Sequence, residues 1–180
     1  MLRIICGLLT PERGAISWNG AQIRSLGEEY SRLITYLGHR NAVKEELSSL
    51  ENLRIASGLH GDEVSASQAQ QALARVGLAG RENLAVRFLS EGQRRRSAIA
   101  RLITCNTALW ILDEVLASLD RAASRLIESI IDEHLDKGGM AIVATHQELH
   151  ISASSFQRLE LEPTVSVGVP FGAAAPESPS

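Results

Sequence analysis

The sequence predicts an α/β domain built on a parallel sheet with a helical insert. Residues 108–112 and 140–144 are apolar runs without alternation, the mark of strands covered on both faces. Leu126, Ile127, Ile130 and Ile131 lie between them at helical spacing, giving the order strand–helix–strand. Ahead of these, residues 45–106 carry three Ser-x-x-Glu/Gln capping boxes and helical periodicity, so the middle of the chain reads as helical.

Taken in order, the chain opens with Ile4, Ile5, Leu8 and Leu9 at helical spacing, stopped by Pro11 and Gly14. Ala15-Ile-Ser-Trp18 leads into Asn19-Gly20, a strong hairpin signal, because both central residues of the favoured turn need positive φ. Leu33-Ile-Thr-Tyr-Leu37 reads as a strand closed by Gly38. Ser48 with Glu51, Ser65 with Gln68, and Ser90 with Gln93 are the three boxes. They open helices over Leu53, Ile55, Ala56 and Leu59, over Ala69, Ala72, Leu73 and Val76, and over Ala98, Ile99, Leu102 and Ile103. Gly77 stops the second of these. Asp120 caps the helix that ends at Gly138-Gly139, and residues 140–144 then read as a second fully buried strand with Thr145-His146 at its carboxyl end. From Pro163 on, Pro, Ala, Gly and Ser dominate. The expected layout is one domain over residues 1–162, its helical subdomain at about 45–106, and a disordered tail over 163–180.

Composition bounds the function. A chain of 180 residues fits one ordinary domain, and 44% hydrophobic with 22% charged residues excludes disordered and fibrous classes. Aromatics are only 4%, so Leu, Ile, Val and Ala must fill the core. The 18 basic and 21 acidic residues leave a net charge of −3, which argues against nucleic acid or anionic lipid as partner. Cys6 and Cys105 make no disulfide framework, so a reducing compartment is expected. No apolar run approaches the roughly 20 residues of a membrane span, and residues 1–9 make no signal peptide. Any membrane role is expected to run through a partner, without direct insertion.

Three constellations carry chemistry. Asp113-Glu114 closes the first apolar strand, where ligands of open parallel sheets bind. One carboxylate there can hold Mg²⁺ and the next can polarise a water for attack on a γ-phosphate, or both can simply start a helix. In Leu89-Ser-Glu-Gly-Gln93, Ser90 offers a hydroxyl and Gly92 an open backbone amide at a helix N-terminus, which suits a phosphate but also suits a capping box without ligand. His146 stands where an imidazole could reach a terminal phosphate, or could be merely exposed; His39 and Asp120 are equally silent taken singly. Arg94, Arg95 and Arg96 point in different directions at helical spacing and read as a solvated face with one stacked or paired arginine.

Their order is more telling than any one piece. Leu89-Ser-Glu-Gly-Gln-Arg-Arg-Arg-Ser-Ala-Ile-Ala-Arg101 resembles the signature motif and helix of ABC (ATP-binding cassette) ATPases. Leu109-Trp-Ile-Leu-Asp-Glu114 resembles Walker B with its catalytic glutamate, Ser118-Leu-Asp120 the D-loop, and Thr145-His146 the switch histidine. The resemblance covers about residues 1–150 and implies a P-loop NTPase-like fold. Residues 37–53, Leu37-Gly-His39 through Lys44 to Glu51-Asn-Leu53, resemble one subfamily, the ATP-binding subunit of the cytochrome c maturation (haem exporter) system.

That resemblance implies ATP and Mg²⁺ as cofactors and a homodimer that sandwiches the nucleotide. Ser90, Gly92 and Gln93 would meet the nucleotide held by the partner copy, with Asp120 beside it. Asp113 would serve Mg²⁺, Glu114 the attacking water and His146 the γ-phosphate. His39 falls where most of the family carry the Q-loop glutamine, which senses Mg²⁺ and touches the membrane subunit. The implied partners are the membrane subunits of the cytochrome c maturation complex, with the chain peripheral on the cytoplasmic face of a bacterial inner membrane. Its ATPase would help release the haem chaperone. Within residues 37–53, Lys44, Glu45 and Glu46 are either a partner-facing cluster or a solvated turn.

Departures bear on activity. The family needs a Gly-x-x-x-x-Gly-Lys-Ser/Thr loop, whose amides and lysine hold the phosphates. Lys44 and Lys137 are the only lysines, and neither lies in that pattern. Residues 2–9 resemble the helix after that loop, implying a domain shortened at its N-terminus, without the first strands or the adenine-stacking aromatic. The chain alone is therefore expected to be inactive. The competing reading is a non-catalytic remnant or regulatory fragment that docks on partners without binding ATP. Glu91 replaces the usual small residue of the signature, and Val115 the proline after the catalytic glutamate.

Overall fold

The computed structural model describes residues 1–39, 41–61, 63–152 and 156–160; the tail expected over 163–180 lies outside them. The first helix is shorter than its apolar spacing suggests. α1 (Leu2–Ile5) is one turn, because Gly7 at φ 73° takes the backbone out of the helix well before Pro11. Leu8 and Leu9 are left 57% and 50% exposed. The hairpin forms as expected: β1 (Ser17–Trp18) pairs antiparallel with β2 (Ala21–Gln22), and Asn19 and Gly20 take φ of 47° and 83°. Two helices then follow that the pattern does not announce, α2 (Ile23–Leu26) and α3 (Glu28–Leu33). Neither has a side-chain N-cap, and both are too short to show periodicity; they exist because Ile23 and Tyr30 are buried, the Tyr30 hydroxyl donating to the Ile5 carbonyl at 2.8 Å. β3 (Ile34–Leu37) leads into the helical part.

α4 (Ser49–His60), α5 (Ala66–Arg75) and α6 (Glu91–Thr104) pack on one another, with a 3-10 turn at Val86–Phe88 ahead of the last. All three capping boxes close in both directions, so each N-cap serine and the Glu or Gln three residues on satisfy orphan amides reciprocally. Small residues let α4 and α6 approach closely, and their buried hydroxyls pair: Ser97 donates to Ser49 at 2.9 Å, and Ser57 meets Thr104 at 3.2 Å. β4 (Leu109–Asp113), α7 (Arg121–Asp136) and β5 (Met140–Ala144) complete the chain order.

The sheet order is β3-β4-β5, all parallel, with Leu37 opposite Leu112 and Ile111 opposite Ile142. Period-two alternation divides the core. Leu37, Trp110 and Leu112 face the large cluster with Leu53, Leu73, Ile99 and Ile127. Ile34, Leu109 and Ile111 face the smaller one with Cys6, Ile23 and Tyr30. β4 is therefore buried on both faces, as its sequence indicates. β5 is not: Met140 is 46% exposed and the next four residues are half-buried. The expectation of full burial fails because β5 pairs only with β4 among the described residues and, unlike the other edge strand β3, has residues 141–144 bordering open space.

Candidate functional site

The carboxyl ends of β4 and β5 open on a groove of about 1050 Å³ walled by Asp113, Glu114, Ala144, Thr145 and His146. That volume matches ligand clefts rather than packing defects. Asp113 ends β4 half-buried, its charge near enough to act on the Tyr36 hydroxyl. Burial first, and the Asp113 charge second, raise the Tyr36 phenol above its ordinary value and push the Cys6 thiol up to about 11. Gly38 permits this arrangement, since a Cβ there would stand 2.8 Å from the Tyr36 hydroxyl.

Glu114 continues the ladder, its amide donating to the Ala144 carbonyl at 2.8 Å. Its φ of 52° is unusual for a side chain of this size, and Ser118 further along the turn has φ 64°. Such conformations persist where the surroundings over-determine them, and they gather at functional sites. The carboxylate reaches into the groove, where His146 Nε2 lies 3.5 Å from Glu114 Oε1. The imidazole is 97% exposed and the carboxylate 25%, so the histidine can move while the glutamate is held.

What holds it is Arg95. Instead of a solvated helix face with one paired arginine, three consecutive arginines each pin a different segment. Arg94 donates to the Leu89 and Arg87 carbonyls and pairs with Glu45 at 3.1 Å. Arg96 closes the end of α5 through the Val76 carbonyl at 3.2 Å. Arg95 is 3% exposed. It donates to the carbonyls of Asp113, Glu114 and Val115 at 3.2, 2.7 and 3.3 Å, and to Gly38 O and Asn41 Oδ1 at 2.8 and 3.1 Å. Burial lowers its pKa, and the charges of Asp113 and Glu114 oppose that shift, so the guanidinium stays charged. Sequence periodicity could not single it out, because its partners are backbone carbonyls of distant loops.

The remaining expected residues lie elsewhere. None of Ser90, Gly92, Gln93, Asp120 or His39 lines the groove. Ser90 is the N-cap of α6: its hydroxyl accepts from the Gln93 amide at 3.3 Å and its own amide donates to Gln93 Oε1 at 3.0 Å. The hydroxyl proton stays available to an anion. Gly92 sits against the Ser118 carbonyl, 3.4 Å from where a Cβ would be. Glu91 accepts from the Ser118 hydroxyl at 3.1 Å, fastening the start of α6 to the turn after Glu114. Asp120 caps α7 by accepting from the Ala123 amide at 2.8 Å. His39 is exposed just past β3. Glu45 is no unpaired surface charge, given its bond to Arg94.

Comparison with known proteins agrees with this arrangement. The family described as ABC transporter matches residues 1–117. The cytochrome c biogenesis ATP-binding export proteins CcmA of Nitrosospira multiformis and Nitrosomonas europaea are 50% and 52% identical over 161 residues. Those residues are 89% of this chain and 78% and 76% of theirs. A dimeric post-hydrolysis ATP-binding cassette with ADP and Pi bound has a TM-score of 0.71 at 23% identity, over 81% of this chain and 68% of that one, which speaks for the fold alone. The parallel sheet carrying Asp113-Glu114, the helical layer, and the identity across most of the chain are one result: the chain belongs to the ABC transporter ATPases, among the cytochrome c biogenesis ATP-binding export proteins.

Proposed function

We propose that this chain is the ATP-binding subunit of a haem-exporting complex of cytochrome c biogenesis. In that complex it would couple ATP hydrolysis to membrane subunits on the cytoplasmic face of a bacterial inner membrane and so help release the haem chaperone. The observation that carries the reading is a division of labour. Asp113, Glu114 and His146 share one groove, while Ser90, Gly92 and Gln93 open from a helix N-terminus outside it. Two copies facing each other would bring one set onto the nucleotide of the other. Among the described residues no helix is long and apolar enough to cross a membrane, which fits a peripheral position.

ATP with Mg²⁺ would supply the phosphoryl group and a counter-charge. Asp113 fits the metal: it is a half-buried oxygen donor beside a hydroxyl, and Mg²⁺ is commonly held by one or two carboxylates together with water and phosphate. Glu114 accepts the proton of the attacking water, held in place by its backbone. His146, free to swing, donates to a terminal phosphate oxygen. Ser90 and the Gly92 amide donate to phosphate from the partner copy, where the N-terminal end of α6 favours negative charge. Asp120, which caps α7, would lie beside the nucleotide, and the exposed His39 would sense the metal and meet the membrane subunits.

The 180 residues by themselves are expected not to hydrolyse ATP. Phosphoryl transfer depends on positioning and neutralising the phosphates, and no Gly-x-x-x-x-Gly-Lys segment occurs among them. Turnover by the purified chain that Glu114→Gln abolishes would overturn this. The same observation favours a second reading, a fragment that docks on partners without turning over ATP.

Docking can be tested at residues 44–46. Glu45→Lys would set a cation against Arg94 and disturb the turn beneath Ser90, so Lys44→Glu with Glu46→Lys is the cleaner variant. Both positions are exposed, and reversing them is expected to weaken copurification with the cytochrome c maturation membrane proteins while leaving the fold intact. Full copurification together with normal cytochrome c assembly in cells would show that this face does not dock.

A further inference from the structure

The loop after β3 and the turn after β4 leave neighbouring strands of the sheet, and one buried side chain on α6 bonds to both. We propose that Arg95 is a positioning residue: its guanidinium ties the loop after β3, at Gly38 and Asn41, to the turn after β4, at Asp113, Glu114 and Val115, so that a displacement of the first loop is felt at the Glu114 backbone. The functional meaning of the tie rests on the ATPase reading; the tie itself does not.

The geometry requires an arginine. Five oxygens on two loops lie within 2.7 to 3.3 Å of its three nitrogens: Nη1 takes Gly38 and Asn41, Nη2 takes Asp113 and Glu114, and Nε takes Val115. A planar fork with five protons can serve two loops at once, whereas a lysine ammonium is a single point that cannot span them. The side chain is 3% exposed, so water does not compete for these acceptors. Its bonds fall on the carbonyl of Glu114, a non-glycine residue at φ 52°, and that carbonyl also accepts from the Ala117 amide at 3.0 Å. Arg95 thereby holds the conformation that aims the carboxylate into the groove. On the other loop, Gly38 and Asn41 flank the exposed His39, so the side of the tie away from Glu114 is the side a partner could move.

Arg94 and Arg96 make no such bridge. Arg94 bonds within the segment just ahead of α6 and to Glu45, and Arg96 to the end of α5. They are the natural controls.

A double-mutant cycle read by amide hydrogen exchange tests the tie in the full chain without nucleotide, so failure of the ATPase reading leaves its outcome untouched. Asn41→Ala is expected to speed exchange at the Glu114 and Ala117 amides about threefold, the scale of a modest net hydrogen bond. Arg95→Lys is expected to speed both about tenfold, the scale of one bond to a charged group. Adding Asn41→Ala to Arg95→Lys is expected to change nothing further at Glu114, and the Val76 and Leu78 amides at the end of α5 stay as they were. The proposal is overturned if Asn41→Ala leaves Glu114 unaffected, if its effect persists in the Arg95→Lys background, or if exchange rises evenly across α5. Should Arg95→Lys not fold, Asn41→Ala against Asn52→Ala decides. Asn52 bonds to Lys44 in the same connection and touches no Arg95 acceptor, so only Asn41→Ala should reach Glu114.

Discussion

In a form of the domain that carries a phosphate-binding Gly-rich loop, Glu114→Gln is expected to cut ATP turnover about 100- to 10,000-fold, the range for removal of a positioned general base. Glutamine has the same shape and keeps the backbone contacts, so the turn and its bond to Ala144 should survive. What disappears is the carboxylate that faces the groove 3.5 Å from His146. Binding and catalysis should therefore separate. The variant should bind ATP and, unable to discharge it, remain a dimer with the nucleotide between two copies. Gel filtration with ATP and Mg²⁺ reads this directly: the substituted protein should elute as a dimer and the wild type should return to monomer after turnover. A monomer in both cases would sink the sandwich arrangement. Undiminished turnover would move the base away from Glu114.

Local rules were legible wherever a short stretch of chain settles its own geometry. The three capping boxes, the Asn19-Gly20 hairpin and the Asp120 cap are satisfied within three or four residues, and each forms as its sequence indicates. β4 was legible because it is central: burial on both faces leaves no polar alternation. The same inference overreached at β5, whose composition is nearly as apolar while residues 141–144 border the open groove at one edge of the sheet. Apolar content reports what a strand tolerates, and only the neighbours decide what covers it. α2 and α3 were invisible for the opposite reason, since their cause is tertiary contact through Ile23 and Tyr30.

The site divides in the same way. Asp113, Glu114 and His146 were found by strand ends, because the parallel sheet itself gathers those positions into one groove. Arg95 was not, because its five bonds cross between segments far apart in the chain and nothing in Arg94-Arg95-Arg96 distinguishes the middle member. Glu91 shows a third case. Read as sequence, it places a negative charge beside a phosphate site; in the structure its carboxylate is engaged by the Ser118 hydroxyl. The acid thus fastens the start of α6 to the turn that Arg95 holds from beneath. One turn, between Glu114 and Asp120, is bound at both ends by the same helix.

Because the Asp113–Glu114 turn is the last extension of β4, its position depends on the packing just before it. Leu112→Ala is expected to lower unfolding free energy by about 2–5 kcal/mol, the range for emptying a fully buried leucine site. Leu112 is 0% exposed and packs in the large cluster with Leu37, Ile99, Val115 and Ile127, between the sheet and the helices α6 and α7. Those neighbours sit on β3, α6, α7 and the turn after β4, so no single side chain can collapse into the space. Against a total stability of about 5–15 kcal/mol for an ordinary domain, the loss is a large share. Leu59→Ala is the control: the side chain is on α4 but 84% exposed, and its removal should change stability by less than about 0.5 kcal/mol. Urea titration followed by circular dichroism measures both, with the midpoint shifting at constant slope if only stability has changed. A loss below about 1 kcal/mol for Leu112→Ala would mean that β4 is not the strand on which the domain is built, since so small a value belongs to surface positions.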